Sequence, residues 1–437
     1  MQKTALKIVK KLRDAGFEAY FAGGYVRDLI MGKKEIAKDV DIVTNAKPDE
    51  IEKILEKTVP VGKQFGVILA IESGFTYEIA TFRNESDYED GRRPSKVHYT
   101  NAQEDAKRRD FTVNGIFLDP VDRKILDFVD GVKDIKARLI RFIGVPHERI
   151  LEDHLRIIRA IRFKNCLNFG YHPDTYKALK KHAELSNKVS GERMKQEFDR
   201  IMMCENIGAA FEDMQDTGIL KYILPEVEEM KGVPQPMMYH EEGDVWTHTM
   251  MCLEALPKSS DLETRYAMLF HDIGKTKTFK IGPKRIRFDG HVEAGAEIAL
   301  NIMKRLKFSR KEMDKIIWLI KHHMMIGHFF QMNRGRRLHW FLKKDFKDLM
   351  EVFKADIKGS RPLDDGLFEK LKNLYEKDIK AVPKEPKRLL TGEDVMKILN
   401  LKPSEKVGEI LEKLRHEQLQ GRVRTVEEAR RFVESNA

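Results

Sequence analysis

The chain has 437 residues, with 80 Lys or Arg against 70 Asp or Glu, a net charge of +10 and a pI near 9.1. That length exceeds one ordinary core and predicts roughly two to four domains, and the basic balance suits a nucleic-acid partner. No apolar run reaches the length of a membrane span, and the amphipathic N-terminal stretch lacks the features of a signal peptide. The three cysteines, Cys166, Cys204 and Cys252, show neither disulfide nor metal-site spacing, which predicts a reducing, cytoplasmic compartment.

The first part of the chain is predicted to mix short strands with helices. Strands are expected at 18–22, 40–43, 67–72 and 75–81, the last two joined by the hairpin signal Ser73-Gly74, and helices at 3–15, 26–31, 48–57 and 110–117. From about Ile140 onward the strand patterns vanish, and helical periodicity continues nearly to the end. Two prolines in 382–388 predict a linker there.

A glycine pair lies in the stretch AYFAGG, which is followed by YVRDLIM. Gly23 and Gly24 are predicted to form a turn between a strand and a helix, where backbone N–H groups can approach a phosphate. Arg27 could add a fork of donors to the same phosphate. The stretch therefore predicts a phosphate cradle, although it contains neither a Walker A loop nor a dinucleotide-binding fingerprint.

Two aspartates then stand one residue apart inside an apolar segment, at Asp39 and Asp41 in KDVDIV. Side chains at i and i+2 of a strand point to the same face, so the two carboxylates are predicted to lie side by side. Like charges that close repel unless a cation lies between them, and Mg²⁺ is the hard divalent ion that best fits oxygen ligands. The pair predicts a metal site; the alternative is a strand end with two solvated aspartates.

Three later segments fit nucleotide binding. Glu78 is predicted in a strand beside the two aspartates, as a third carboxylate, a hydrogen-bond partner or a half-exposed strand residue. Asp110 is predicted to begin a helix as its N-cap, which puts Arg109 at a helix start, where an anion would relieve its conflict with the macrodipole. The polar segment 84–101 lacks periodicity, which is typical of a functional or mobile loop.

The stretch ILEDHLRIIRAIRF is predicted to be one helix with a charged stripe. Asp153 lies three residues before Arg156, and Arg159 and Arg162 continue at the same spacing, so all four share one face. The isoleucines and leucines around them predict burial, and buried arginines need anions. Three arginines in a row could hold a triphosphate; the alternative is a solvated charged stripe.

The ordered set of these motifs resembles the class II tRNA nucleotidyltransferases, the family of CCA-adding enzymes and bacterial poly(A) polymerases. The matching segments cover roughly the first half of the chain. They are Gly23-Gly24-x-x-Arg27-Asp28, Asp39-x-Asp41, Arg108-Arg109-Asp110, Asp127-x-x-Asp130-Gly131, Glu152-Asp153-x-x-Arg156 and Glu192-Arg193-x-x-x-Glu197. Segment 61–70 resembles the CCA-adding version, and 84–101, with Asp90, Arg92, Arg93 and Pro94, resembles a flexible loop that CC-adding relatives lack.

The resemblance implies a two-metal, template-independent transfer of nucleotides to the 3′ end of tRNA. Asp39 and Asp41 would hold two Mg²⁺, one lowering the pKa of the tRNA 3′-hydroxyl and the other binding the triphosphate, with Glu78 as a further catalytic carboxylate. The implied nucleotide-binding residues are Gly23, Gly24, Arg27, Asp28, Arg109, Asp110, Asp153, Arg156, Arg159 and Arg162.

Base choice is predicted from hydrogen-bond polarity. Cytosine and adenine both present a ring-nitrogen acceptor beside an exocyclic amine, so Arg156 can donate to the nitrogen while Asp153 accepts from the amine. Guanine and uracil present the opposite polarity and would leave both side chains unpaired, which a buried site penalises strongly.

Histidines and aspartates in the second half resemble the HD family of metal-dependent phosphohydrolases. That resemblance implies a transition-metal site, with Ni²⁺ or Mn²⁺ as candidates, or else an HD fold kept as a scaffold for tRNA. The sequence does not decide between His322 and His323, and we assign the first. The predicted ligands are His248, His271, Asp272, His291, His322 and Asp356.

The predicted architecture is an α/β nucleotidyltransferase head with a small mixed sheet at 1–139, followed by an all-α neck at 140–204 that recognises the base. An HD-like helical body at 205–381 and a helical, tRNA-binding tail at 382–437 complete it. The predicted activity is CCA addition from CTP and ATP to tRNA. The alternatives are an A-adding enzyme with a separate CC-adding partner, a poly(A) polymerase, and an HD phosphohydrolase whose head only binds nucleotide or RNA.

Overall fold

The computed structural model describes residues 1–33, 39–88, 94–236, 241, 243–283, 286–363, 365–380 and 387–436. The chain divides into two compact units, Met1–Pro225 and Glu226–Ala437. The first contains a mixed sheet and then helices, and the second is almost entirely helical. The predicted succession of an α/β head and a helical remainder is confirmed, while the finer division into four segments stays a prediction.

A mixed sheet lies at the centre of the first unit. The strands of this unit are β1 (Ala19–Ala22), β2 (Asp41–Thr44), β3 (Thr58–Val59), β4 (Val67–Glu72), β5 (Phe75–Thr81), β6 (Arg83–Tyr88), β7 (Pro94–Tyr99), β8 (Ile116–Asp119), β9 (Lys124–Asp127), β10 (Leu139–Ile140) and β11 (Gly170–Tyr171). Seven of them form one sheet in the order β3-β4-β5-β2-β1-β8-β9. Only β2 and β5 are parallel neighbours in it.

The predicted strands at 67–72 and 75–81 are confirmed to the residue. Ser73 and Gly74 between them both have positive φ, as a tight hairpin turn requires. The segment 84–101, predicted as a loop, instead contains most of the hairpin formed by β6 and β7. Asp90, Arg92 and Arg93 of that segment lie outside the described residues.

Eleven α-helices lie wholly within the described residues of the first unit. They are α1 (Gln2–Asp14), α2 (Gly23–Ile30), α3 (Pro48–Ile54), α4 (Ala102–Arg108), α5 (Gly131–Ala137), α6 (Pro146–Glu152), α7 (Arg156–Leu167), α8 (Pro173–Lys181), α9 (Gly191–Met202), α10 (Ile207–Asp216) and α11 (Leu220–Ile223). The first of them buries Ala5, Ile8, Val9 and Leu12 at the spacing of one helix face, and this face packs beside β1. Packing against α1 therefore holds β1, the strand that leads into the Gly23-Gly24 turn, in place.

The helix predicted at 110–117 is wrong. The chain makes a 3₁₀ turn at Thr112–Asn114 and then enters β8. All four residues of β8 are buried, and a short, wholly apolar run looks the same in a buried strand and a buried helix. Close packing at position 115 requires glycine, because a Cβ there would lie 2.8 Å from the side chain of Val129.

The charged stretch at 150–163 is two helices rather than one. The first, α6, ends at Glu152, and Asp153 adopts an extended conformation with φ −144° and ψ 106°. Its carboxylate accepts a hydrogen bond from the backbone N–H of Leu155 at 3.1 Å, as a capping aspartate does, and α7 begins at Arg156. Asp153 and Arg156 therefore do not share a helix face as predicted.

The cysteine prediction also needs correction. Cys166 at the end of α7 and Cys204 after α9 form a disulfide, with Cα atoms 5.0 Å apart. A sequence separation of 38 residues gave no spacing signal, because the pairing depends on how these two helices pack. Cys252 is free and buried.

The second unit is built from helices. They are α12 (Pro225–Glu228, which starts at the unit boundary), α13 (Val245–Ala255), α14 (Leu262–Phe270), α15 (Lys275–Thr278), α16 (His291–Arg305), α17 (Arg310–His322), α18 (Arg334–Phe341), α19 (Phe346–Gly359), α20 (Gly366–Lys380), α21 (Gly392–Leu399), α22 (Glu405–Leu419) and α23 (Val426–Ser435), with a small hairpin of β12 (Lys280–Ile281) and β13 (Ile286–Arg287). Most of the predicted linker 382–388 lies outside the described residues. Among the described residues, no helix combines the length and apolarity needed to cross a membrane.

Candidate active site and metal centre

A cavity of about 640 Å³ opens in the first unit. Its lining combines carboxylates with arginines, and it gathers every predicted residue of the catalytic and nucleotide-binding sets except Asp28. These residues are Gly23, Gly24, Arg27, Asp39, Asp41, Glu78, Arg109, Asp110, Asp153, Arg156, Arg159 and Arg162. Segments more than a hundred residues apart in the chain thus converge on one volume.

The carboxylates come from neighbouring strands. Asp41 opens β2, and Glu78 lies on β5, which runs parallel to β2 with Ile42 opposite Ile79. Burial, together with the charges of Glu78 and Asp39, raises the pKa of Asp41 to about 6, and the charge of Arg109 opposes this rise. An ionised Asp41 is therefore costly without a neutralising cation.

This donor set fits a hard divalent cation, since it offers carboxylate oxygens in an electronegative setting. Within the described chain, the oxygens of Asp39, Asp41 and Glu78 do not all fall within 4.8 Å of one another. Mg²⁺ commonly keeps several waters and substrate oxygens around one or two protein carboxylates, so an open arrangement suits it.

The glycine turn is built against the carboxylates. Gly23 begins α2 directly after β1, with a φ of +69°. A Cβ at this position would lie 2.4 Å from the Oδ2 atom of Asp41. Gly23 is thus required both by its backbone conformation and by the close approach of Asp41.

Arg27 faces the cavity from α2 and is held from behind. Its guanidinium donates to Asp28 at 3.0 Å and to the side-chain oxygen of Asn114 at 2.9 Å. Asp28 lies behind Arg27 and does not line the cavity. Asn114 was missed in the sequence, where a lone asparagine in an apolar segment gave no signal of its own.

Arg108 and Arg109 lie at the C-terminal end of α4 instead of at a helix start. The prediction that Arg109 opposes a helix macrodipole is therefore wrong, because a cation is favourable at a helix C-terminus. Both bind Asp105, Arg108 at 2.7 Å and Arg109 at 3.2 Å. Burial alone would raise the pKa of Asp105, but Arg109 and Arg108 lower it below its usual value. Asp110 likewise accepts from Asn114 and does not cap a helix.

Each arginine of the predicted row already has a carboxylate partner. Arg156 pairs with Glu152 at 2.6 Å, Arg159 with Asp110 at 2.8 Å, and Arg162 with Glu197 at 2.8 Å. Burial would raise the pKa of Asp110, but Arg159 lowers it to about 2. Burial lowers the pKa of Arg162 to about 10 despite Glu197.

Asp153 pairs with Arg193 of α9 at 2.8 Å rather than with Arg156. The two predicted base-reading side chains therefore line the same cavity, but each is engaged elsewhere. Phe163 is a further lining residue that the sequence analysis did not single out. Its ring lies 4.1 Å from the guanidinium carbon of Arg162 and 5.3 Å from that of Arg159.

The second unit holds a separate buried group of metal-ligand type. The Nε2 atoms of His248 and His271 are 3.4 Å apart, and Asp356 Oδ1 lies 3.1 Å from the first. Asp272 Oδ2 lies 3.3 Å from His271 Nε2. Ligand atoms around one ion with bonds of about 2.1 Å stand roughly 3.0–3.5 Å apart, so the spacing of these four side chains fits a metal ion.

Asp272 also faces a second histidine pair. Its other oxygen, Oδ1, is 3.7 Å from Nε2 of both His291 and His323. These two nitrogens are buried, and neither has a hydrogen-bond partner within the described chain. Asp272 can therefore bridge two positions, although Lys275 also donates to its Oδ2 at 2.6 Å. The side chains in this group fit one or two metal ions.

The choice of His322 is wrong, because the group contains His323. His322 ends α17 and packs beside Trp318 and Trp340, with its Nδ1 atom 2.6 Å from the Trp318 carbonyl. The helix changes to a 3₁₀ turn at His323, and this change turns the next side chain inward. Cys252 was also missed; its sulfur lies 3.4 Å from His248 Nε2.

Family models match the chain in the order in which these sites occur. Residues 19–141 match the poly(A) polymerase head domain, 168–231 a probable RNA-binding site of that polymerase, 244–328 the HD domain and 291–431 a putative second domain of tRNA nucleotidyltransferase. The chain is thus similar, segment by segment, to the domains of poly(A) polymerases and tRNA nucleotidyltransferases. The resemblance seen in the motifs is confirmed.

Relatives named CCA-adding enzyme match about half of the chain. That of Ligilactobacillus salivarius is 41% identical over 251 residues, which are 56% of this chain and 61% of the relative. That of Staphylococcus epidermidis is 44% identical over 220 residues, 50% of this chain and 54% of the relative. The matched part spans less than two thirds of the length of these relatives.

The Bacillus stearothermophilus CCA-adding enzyme, solved in complex with CTP, is similar along almost the whole chain. The superposition has a TM-score of 0.75 with 25% identity and covers 99% of this chain and 97% of the other. The similarity in structure thus extends well beyond the segment of high sequence identity.

Proposed function

We propose that this chain adds CCA to the 3′ end of tRNA, using CTP and ATP. One observation carries the proposal: a single cavity joins the aspartate pair, the glycine turn and the arginine row. The relatives named CCA-adding enzyme and the structural relative solved with CTP support this choice of substrates.

In the proposed mechanism, some residues bind the metal ion and others position the phosphates. Asp39 and Asp41 would hold Mg²⁺, which when bound lowers the pKa of the attacking hydroxyl and neutralises phosphate charge. Gly23 and Gly24 leave room for phosphate oxygens to approach the backbone, and Arg27 donates to them from a fixed position. Glu78 holds Asp41 in an electronegative setting, which strengthens its demand for a cation.

Base selection would work by exchange of partners. Arg156 and Asp153 reach the incoming base only by leaving or sharing Glu152 and Arg193. A base with the wrong polarity offers no hydrogen bonds in return, so the original pairs persist. G and U are then rejected for two reasons: Arg156 and Asp153 do not leave their protein partners for them, and any that did would be left without a hydrogen bond.

Asp153→Ala should relax discrimination among nucleotides more than it weakens triphosphate binding. We expect the preference for CTP over UTP to fall by at least about tenfold, because a base-edge acceptor is lost. Arg159→Ala should do the reverse, raising KM while preserving the preference. Competition assays with paired nucleotides measure both effects, and an unchanged preference in the Asp153 variant would refute its role at the base.

Gly23→Ala should lower kcat/KM for nucleotide addition by at least about a hundredfold, because the new Cβ displaces the Asp41 carboxylate. Gly16→Ala is the matched control: Gly16 also has a positive φ, of +89°, but a Cβ there meets nothing within 4 Å. Both variants carry backbone strain, and only the first disturbs the carboxylates. Equal activity losses in the two would mean that strain, not the clash, is responsible.

The decisive assay uses three tRNA transcripts, ending before CCA, after C and after CC, with each nucleotide alone and with CTP and ATP together. Completion of all three supports CCA addition. Extension of the CC-ending transcript alone would identify an A-adding enzyme, and long A tails would identify a poly(A) polymerase. Mg²⁺ as the metal and a cytoplasmic location are further parts of this proposal.

A second activity is favoured by the buried histidine and aspartate group. Four ligand atoms at metal-site spacing and a bridging Asp272 suit hydrolysis of phosphate esters in the second unit. We propose Ni²⁺ or Mn²⁺ there, since imidazoles favour transition metals. Phosphomonoesters and 2′,3′-cyclic nucleotides are the substrates to assay.

A further inference from the structure

A third group of possible metal ligands lies in the second unit, away from the histidine and aspartate group. His339 comes from α18, and Glu412 and His416 come from α22. One nitrogen or oxygen atom of each lies within 4.8 Å of the others. The two imidazole rings are 5.2 Å apart at 79°, and Glu412 Oε1 is 3.7 Å from His416 Nε2.

The frame that carries these side chains is tight. Glu412 and His416 stand four residues apart on α22 and so share one face of it. Gly335 of α18 packs against the same point of α22, where a Cβ would lie 2.2 Å from the His416 carbonyl oxygen. Asn333 and Gln420 join the two helices by a hydrogen bond of 2.9 Å. The three candidate ligands are therefore held without needing a metal to assemble them.

His416 presents a nitrogen that nothing satisfies. Its Nε2 atom is buried and has no hydrogen-bond partner among the described residues. Such an atom costs stability, because it has lost water and gained no partner. A metal ion bound at Nε2 would satisfy it, and the neighbouring His339 and Glu412 supply the other ligands.

The alternative explanation, an ordinary ion pair of a protonated histidine with Glu412, fits less well. Burial and the nearby charge of Arg336 lower the pKa of His416, and burial with Lys343 lowers that of His339 to about 4. Both rings are therefore neutral near pH 7, and a neutral imidazole is the form that binds a metal. Lys343 and Arg415 oppose a cation, and Glu412 offsets part of that opposition.

A cavity of about 420 Å³ lies beside the group, lined by His339, Glu412, Lys343 and Arg388 among others. Two imidazoles and one carboxylate leave a four-coordinate ion with an open position. Water or an anionic oxygen could reach this position from the cavity, whose basic side chains favour an anion.

We propose that His339, Glu412 and His416 form a further metal site, which takes a transition-metal dication such as Zn²⁺. The site joins α18 to α22 and is independent of nucleotide addition and of the group around Asp272. Two histidines and a carboxylate are a ligand set that zinc accepts in proteins.

The test uses the full chain carrying His271→Ala and Asp272→Ala, which disables the other histidine group, with excess Mg²⁺ present to occupy the carboxylate site. Equilibrium dialysis with Zn²⁺ as the only transition metal should find one tightly bound Zn²⁺ per chain. Adding His339→Gln and His416→Gln should remove it, and Glu412→Gln should weaken it by at least about tenfold. His328→Gln and Glu409→Gln, both exposed, are the matched controls and should keep the ion.

Co²⁺ provides a readout that folding defects do not imitate. The parent chain should give visible absorption bands of a four-coordinate site, and the double histidine variant should lose them while keeping its circular dichroism. Retention of the ion by that variant, or no tight ion in the parent chain, overturns the proposal. Zn²⁺ should also raise the thermal unfolding midpoint of the parent chain and not of the double variant.

Discussion

Replacing Asp41 with Asn should abolish nucleotide addition and, at neutral pH without metal, make the protein more stable. The loss of activity follows from removal of a metal-binding carboxylate, and we expect a fall in kcat of at least about a thousandfold. Asn keeps the shape of Asp41, so Gly23 and β2 should pack as before.

The gain in stability follows from the raised pKa. The folded-state pKa of Asp41 lies at about 6, above the ordinary value of 3.8, because the ionised form is buried beside Glu78 and Asp39. The wild type therefore loses stability as the pH rises from about 4 through about 6, by roughly 1–3 kcal/mol, and the Asn variant does not. Below about pH 4 the two proteins should be equally stable.

Urea unfolding at pH 4.5 and pH 7.5 measures this difference, and transfer of labelled nucleotide to tRNA measures the activity. Asp14→Asn is the matched control, since Asp14 is an exposed aspartate outside the cavity. A variant that keeps addition in Mg²⁺ would remove Asp41 from the proposed metal site. A variant that loses stability at neutral pH would show that Asp41 is not a buried, electrostatically costly group.

His271→Ala combined with Asp272→Ala should remove the transition metal proposed for the buried histidine and aspartate group and leave nucleotide addition within about twofold of wild type. Both side chains belong to the same buried group, and Asp272 faces every other histidine in it. The carboxylates proposed for addition lie in the first unit.

The neighbouring histidines provide a sharp internal control. His323→Ala should weaken metal binding, whereas His322→Ala should not, because His322 packs against tryptophans outside the group. Metal analysis of each purified protein gives the comparison, and hydrolysis of 2′,3′-cyclic nucleotides follows the proposed activity. If the wild type binds no transition metal, the HD fold acts as a scaffold. If the double variant stops addition while still folded, the two sites are not independent.

The sequence predicted correctly those features that depend on residues close together in the chain. The hairpin of β4 and β5 was located to the residue because Ser73 and Gly74 must take positive φ. The sequence predicted that Asp39 and Asp41 lie near Glu78. Residues two apart in a strand share a face, and the strand that carries Glu78 was expected beside that of the aspartates.

The errors fall where tertiary packing decides. The segment 110–117 mixes large apolar residues with Asp110, Thr112 and Asn114, and packing decides that its last two residues begin the buried strand β8. The apolar pattern continues past Asp153, but α6 ends at Glu152, and the Asp153 carboxylate accepts the backbone N–H of Leu155 in the turn before α7. Glu197, the partner of Arg162, comes from a helix about 35 residues away, and sequence spacing says nothing about this pair.

The register between β2 and β5 limits how this cavity can change in evolution. Tyr77 and Ile79 of β5 are buried on one face, while Glu78 between them is exposed on the other. One residue inserted or deleted within β5 would exchange these faces, burying a carboxylate and exposing two large apolar side chains. Length changes are therefore tolerable at the turn after Glu72 but not between that turn and Thr81, whereas point substitutions on the open face away from Glu78 leave the register intact.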